Sequence, residues 1–143
     1  MRLNEILRSK GDQVVTIPPD AAISELVDLL ARHNIGAVIV SQDGSAIDGI
    51  VSERDVVRRL RGAGTDVLES AVSTIMTSTV FSVKPDDTVH ELARVMTERR
   101  IRHVPVLDEG RIAGIVSIGD VVKSRIGELE FERNQLEGYI AGS

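Results

Sequence analysis

Gly49-Ile50-Val51-Ser52-Glu53-Arg54-Asp55-Val56-Val57 returns 65 residues later as Gly114-Ile115-Val116-Ser117-Ile118-Gly119-Asp120-Val121-Val122. In both stretches a short apolar run ends in Ser, and an Asp follows three residues after it. An apolar run of this length suits a strand, and the residues from Ser onward suit the start of a helix. Each stretch therefore reads as a strand-to-helix junction that holds a hydroxyl and a carboxylate together. A junction that occurs twice predicts two pseudo-symmetric halves.

Reading outward extends the repeat over whole units. Val14 to Ile17 and Val80 to Val83 read as short strands, stopped by Pro18-Pro19-Asp20 and by Pro85-Asp86. Ile23, Leu26, Val27 and Leu30 then form a helical stripe, matched by Val89, Leu92, Ala93 and Met96. Asn34 is placed to end the first of these helices. Ile35 to Val40 and Ile101 to Leu107 read as strands buried on both faces. Asp43-Gly44 and Glu109-Gly110 are turn signals, leading to strands over Ile47 to Val51 and Ile112 to Val116. The offset is 66 up to the second turn and 65 after it, because that turn is one residue shorter. Each unit is therefore strand, helix, strand, strand, helix. One copy alone buries too little apolar surface to stand by itself, so the two are expected to pack as one domain with approximate two-fold symmetry.

The expected division is a first unit over 1–62, a connecting segment over 63–76, a second unit over 77–126 and a helical extension over 127–143. Residues 3 to 9 read as one or two helical turns leading in. In the tail Val122, Ile126, Leu129, Leu136 and Ile140 follow a 3.5-residue spacing with Arg133 in the missing slot. That seam fits either a partner helix in a homodimer or packing across its own domain.

Composition bounds the function classes. The chain has 143 residues with 42% hydrophobic and 27% charged, ordinary for a globular protein. Aromatic residues are only 2% and Trp is absent, so nucleic-acid recognition by aromatic stacking is not expected. The net charge of −5 argues against bulk attraction to nucleic acid or anionic membrane. With no Cys, thiolate metal sites and a Cys nucleophile are excluded. His33, His90 and His103 have no metal-like spacing, and Gly62-Ala63-Gly64 is not followed by the Lys and Ser/Thr of a P-loop. No apolar run approaches the ~20 residues that span a bilayer, and a cytoplasmic location is expected.

The pattern Pro85-Asp86-Asp87-Thr88 with Glu91-Leu92, then Ile101-Arg102-His103-Val104-Pro105-Val106, then Gly114-Ile115-Val116-Ser117 with Asp120, resembles a CBS domain. The first unit resembles it too, so the chain resembles a CBS pair (a Bateman module). The resemblance implies an α/β (α+β) fold of tandem β-α-β-β-α motifs with a long C-terminal helix. Because it covers nearly the whole chain, a free-standing pair is expected rather than an enzyme's regulatory appendage.

The resemblance also implies a function: binding of an adenosyl ligand such as AMP, ADP, ATP, NAD or S-adenosylmethionine in clefts between the motifs. Occupancy would be passed to a protein partner. By the family's pattern Asp55 and Asp120 would hold ribose hydroxyls, and Ser52 and Ser117 would lie near phosphate. Val14, Val15, Gly36, Ala37, Thr79 and Val80 would line the adenine slots, with Arg102 and His103 as further phosphate contacts. No metal site, obligatory cofactor or catalytic residue is implied.

The physical chemistry leaves alternatives open. A carboxylate can accept two hydrogen bonds from a vicinal diol, and a Ser at a helix start adds a hydroxyl where free N–H groups favour phosphate. Ser-x-x-Asp is also a short-acid capping box that satisfies those N–H groups internally. Arg102 and His103 stand where the first unit has Gly36 and Ala37, so the cleft of Asp120 is expected to be the one that takes a charged ligand. Arg54, Arg58, Arg59 and Arg61 give the first junction helix a basic face. A ligand-independent interaction module is the competing function, and an enzyme the remote one.

Overall fold

The structure, a computed structural model, describes residues 1–11 and 14–142. After helix α1 (Leu3–Lys10), the first repeat comprises β1 (Thr16–Ile17), α2 (Ile23–His33), β2 (Ala37–Val40), β3 (Gly49–Ser52) and α3 (Glu53–Ala63). Two 3₁₀ turns (Gly64–Glu69 and Val72–Thr74) lead to α4 (Val89–Arg99), β4 (His103–Asp108), β5 (Arg111–Ser117) and α5 (Ile118–Gly142). In the first repeat β1 pairs parallel with β2, and β2 pairs antiparallel with β3. All four residues of β2 are buried, as its unbroken apolar run requires.

Local chemistry sets the boundaries. Asn34 ends α2 in the left-handed conformation at φ 52°, a role for which Asn is well suited. Arg100 ends α4 at the equivalent position with φ 56°. Asp43 Oδ1 accepts from the N–H groups of Ser45 and Ala46, and Gly44 takes φ 79°, which builds the turn signalled by Asp43-Gly44. Thr88 caps α4 by accepting from Glu91 N–H at 3.2 Å.

The initial strands differ from expectation. In the first repeat only Thr16–Ile17 is strand, with Val14 and Val15 outside the ladder. In the second, Val80 to Val83 contributes a single parallel bridge, Val83 to Val106. There Val83 N–H donates to Pro105 O at 3.0 Å and Leu107 N–H donates to Val83 O at 2.8 Å. The next rung toward Phe81 needs an N–H from residue 105, and proline has none. Pro105 stands where the first repeat has Ile39, which pairs with Thr16. One imino acid therefore leaves β4 and β5 as a two-stranded sheet.

Buried apolar residues fall into two clusters, one per repeat, rather than a single shared core. Each is completed by a segment from elsewhere in the chain. Leu3 and Ile6 of α1 are buried with Val83, Val89, Leu92, Met96, Val104, Val106 and Val116 of the second repeat. Val67 and Val72 of the connector are buried with Ile17, Ile23, Leu26, Val38 and Val51 of the first. The exchange has its own alignment at offset 69: Leu3, Ile6 and Leu7 answer to Val72, Ile75 and Met76. Arg2 bridges Thr88 as Ala71 bridges Ala22. A Cβ on Gly114 would meet Leu7, as one on Gly49 would meet Met76. Helix α1 thus leads into one repeat in sequence and packs in the other.

Helix α5 runs 25 residues, about 38 Å. Val121 is buried, whereas Val122, Ile126, Leu129, Leu136 and Ile140 are all about half exposed or more. The seam is therefore not consumed by packing across its own domain. Among the described residues no helix is long and apolar enough to cross a membrane.

Candidate functional site

Both junctions form where the sequence placed them, and both are reciprocal caps. Ser52 Oγ accepts from Asp55 N–H at 3.4 Å, while Asp55 Oδ2 accepts from Ser52 N–H at 2.8 Å and from its hydroxyl at 3.0 Å. Ser117 Oγ accepts from Asp120 N–H at 3.1 Å, and Asp120 Oδ2 accepts from Ser117 N–H at 2.9 Å. The capping reading of Ser-x-x-Asp is therefore realised twice. It does not exhaust the carboxylates. Each uses Oδ2 for its cap, which leaves Oδ1 able to accept from a diol without dismantling the helix start.

The two repeats meet beside these junctions. Gly36, Ser52, Glu53 and Arg54 of the first repeat and Arg100, Arg102 and His103 of the second line a polar cleft of about 150 Å³. Glu53 N–H donates to Gly36 O at 3.0 Å, and Ile118 N–H donates to Arg102 O at 2.8 Å, so the pseudo-symmetric backbone pins both sides. Gly36 keeps this approach open: a Cβ on it would lie 3.3 Å from His103 Nε2, a tight contact that the imidazole would have to yield to. The cleft gathers three guanidinium groups around the first turn of α3, where the helix dipole also favours an anion.

His103 also lines the neighbouring cleft, of about 740 Å³, with Ile50, Thr77, Thr79, Val80, Phe81, Arg99 and Ile101. Arg99 lies over the Phe81 ring at 4.5 Å, a cation–π contact. Burial lowers the His103 pKa; Glu53 and Asp120 raise it, Lys10 and Arg102 lower it, and the net effect is downward. At neutral pH the imidazole is therefore uncharged, with one nitrogen free to accept a hydrogen bond.

A third cleft, of about 560 Å³, lies where α1 meets α5 and is lined in part by Ser9, Lys10, Asp120, Lys123 and Phe131. Lys10 Nζ donates to Asp120 Oδ2 at 2.7 Å and to Ile115 O at 2.7 Å. Burial pushes the Asp120 carboxyl upward, but the Lys10 ammonium and the Ser117 N–H outweigh it and hold the group below its ordinary value.

The predicted residues are thus distributed differently from expectation. Arg102 and His103 line the Ser52 cleft, although their backbone pairs with the Asp120 junction and His103 also feels the Asp120 carboxylate, because the repeats face one another and His103 lies between the two junctions. Thr79 and Val80 line the adjoining cleft, whereas Ala37 is buried behind it and Val15 packs against the core of the first repeat. Val14 is half-buried, and Ser117 stands in register with His103 on the paired strands. Sequence reasoning missed Lys10, Arg100, Phe81 and Arg99 as cleft residues. Lys10 had a signal, since at offset 69 it falls on Thr79, a residue already singled out; Arg99 and Arg100 share the basic stretch of Arg102 and read as a solvated helix end, and Phe81 had no signal.

The sequence pattern that defines the CBS domain matches this chain twice, over residues 5–62 and 72–127. The chain is 32% identical to the Arabidopsis thaliana CBS domain-containing protein CBSX3, mitochondrial, over 98% of its own length and 72% of that protein. Among solved structures, the CBS-domain protein ATU1752 from Agrobacterium tumefaciens superposes with a TM-score of 0.82 and 44% identity, covering 87% of this chain and 99% of that one. The CBS domain pair of protein MJ0100, solved in complex with 5′-methylthioadenosine and S-adenosyl-L-methionine, superposes with a TM-score of 0.78 and 25% identity over 90% of this chain and 98% of that one. The duplicated junction, the exchanged lead-in segments and the clefts between the repeats are therefore features of a tandem pair, and the chain belongs to the CBS-domain family.

Proposed function

We propose that this CBS pair is a regulatory module that binds an adenine nucleotide and reports its occupancy to a protein partner. The observation that carries the reading is the joining of two unlike surfaces at His103. On one side Arg54, Arg100 and Arg102 surround the Ser52 helix start; on the other Thr77, Thr79 and Val80 wall a cleft wide enough for a flat heterocycle. A phosphate on the first side takes charge-assisted bonds from the guanidinium groups at the start of α3. A base on the second lies against small and β-branched side chains. Asp55, on the same junction, supplies the acceptor for ribose hydroxyls. The adenosyl compounds bound by the MJ0100 pair support this ligand class.

The exposed seam of α5 supports a second copy of the chain as one partner, giving a homodimer. Isothermal titration of ligand-free protein with AMP, ATP, NAD and S-adenosylmethionine tests the main reading. At least one should bind, and Arg102→Ala should weaken a phosphate-bearing ligand by roughly tenfold or more. Absence of binding by all four, with the protein folded, would refute it.

A further inference from the structure

The two junctions carry the same Ser and Asp, but only one carboxylate is engaged by a cation. Lys10 holds Asp120 at 2.7 Å, and no equivalent group holds Asp55 among the described residues. Lys10 is placed there by the fold. Leu3 and Ile6 anchor α1 in the second repeat's core, Gly11 ends the helix with φ 91°, and Lys10 is the last residue before that stop. The exchange of lead-in segments gives its position a meaning. At offset 69 Lys10 is the counterpart of Thr79, which lines the open cleft beside the other junction. A cation at Asp120 therefore stands at the repeat position that carries a small hydroxyl in the other half.

We infer that Lys10 is a specificity-determining residue, an internal counter-ion that closes the Asp120 cleft to neutral ribosides and admits ribose phosphates. The inference rests on the adenosyl-binding reading above. A riboside whose diol takes both carboxylate oxygens of Asp120 competes with the Lys10 ammonium for Oδ2 and costs that charge-assisted bond, which opposes binding. A ribose phosphate brings its own anion. Lys10 passes from the carboxylate to the phosphate, Asp120 is released to the diol, and no charge is left unpaired. No covalent step is involved, and the exchange needs only rotation of a side chain that is already partly exposed (36%).

Amide NMR titration of the 143-residue chain with adenosine and with AMP separates the two clefts. Ser117, Gly119 and Asp120 report one, and Ser52, Glu53 and Asp55 the other. In the wild-type protein the Asp120 amides should respond to AMP at concentrations where adenosine leaves them unchanged. In Lys10→Gln, adenosine should move them and AMP should lose affinity, so that the AMP-to-adenosine preference at this cleft falls roughly tenfold or more. Lys10→Met, which keeps the apolar stem, should do the same and serves if the Gln variant folds poorly. The same preference at the Asp120 amides in wild type and in either variant would overturn the inference while leaving adenosyl binding intact. Failure of both ligands to move either set of amides would overturn both readings.

Discussion

Replacing Leu3 with Ala tests the exchange of segments on which the whole arrangement depends. Leu3 is fully buried (0% exposed) although it is the third residue of the chain. Its helix is fixed by backbone bonds to the second repeat: Leu3 N–H to Asp87 O at 2.9 Å, Asn4 N–H to Pro85 O at 3.0 Å, and Val89 N–H to Met1 O at 3.0 Å. Truncating a fully buried Leu removes its transfer free energy and leaves a cavity whose walls are held by those bonds. Together these amount to about 3–5 kcal/mol. A frayed terminus would lose only a few tenths of that. The total stability of a domain this size is on the order of 5–15 kcal/mol, so the loss is a large fraction of it. Urea unfolding followed by far-ultraviolet circular dichroism suits a chain without Trp. Leu3→Ala should lower the midpoint with an unchanged slope, since each repeat's core contains a segment of the other's lead-in and the two unfold together. Val57→Ala, at a site 63% exposed, should shift stability by less than about 0.5 kcal/mol. A Leu3→Ala cost below about 1 kcal/mol would refute the placement of α1, and a second unfolding transition would refute the coupling.

Two further outcomes follow from particular contacts. A Cβ on Gly49 would sit 2.7 Å from the Thr77 carbonyl oxygen, which is pinned by paired backbone bonds with Ile50 at 2.9 Å; one on Gly114 would meet only the flexible end of Leu7. Gly49→Ala should therefore destabilise by about 1–3 kcal/mol and Gly114→Ala by distinctly less, as thermal or urea unfolding will show; equal costs would contradict the geometry. The downward shift of His103 means that the unfolded chain takes up a proton before the folded one does. Its contribution to stability is complete above about pH 6.5 and is lost as pH falls through the lowered folded-state value. Thermal midpoints measured from pH 8 to 5.5 should decline less in His103→Gln than in the wild type, and parallel curves would remove His103 as the cause.

Much of this molecule was legible as text because the signals are local. Hydrophobic period, the turn at Asp43-Gly44, the stop at Asn34 and the Ser-x-x-Asp caps depend on residues within a few positions of one another, and all appear in the structure. The initial strands were overestimated because Val80 to Val83 has strand composition, yet its ladder depends on an N–H that Pro105, more than twenty residues away, does not possess. Site residues divided on the same line. The junction carboxylates could be named from spacing, but which walls they face could not, since that is set by how one repeat turns toward the other.

By itself, then, the sequence determined the duplication, the order of elements within each repeat, the junction chemistry and the family. Each of these is written in short-range pattern, and the repetition doubles its weight. Only the tertiary structure decided that α1 completes the second core, that Arg102 and His103 line the Ser52 cleft, and that Lys10 pairs with Asp120. The reason is physical: a side chain's partner is chosen by which surfaces the packed cores bring together, and two identical motifs acquire unlike neighbours as soon as the chain has two different ends.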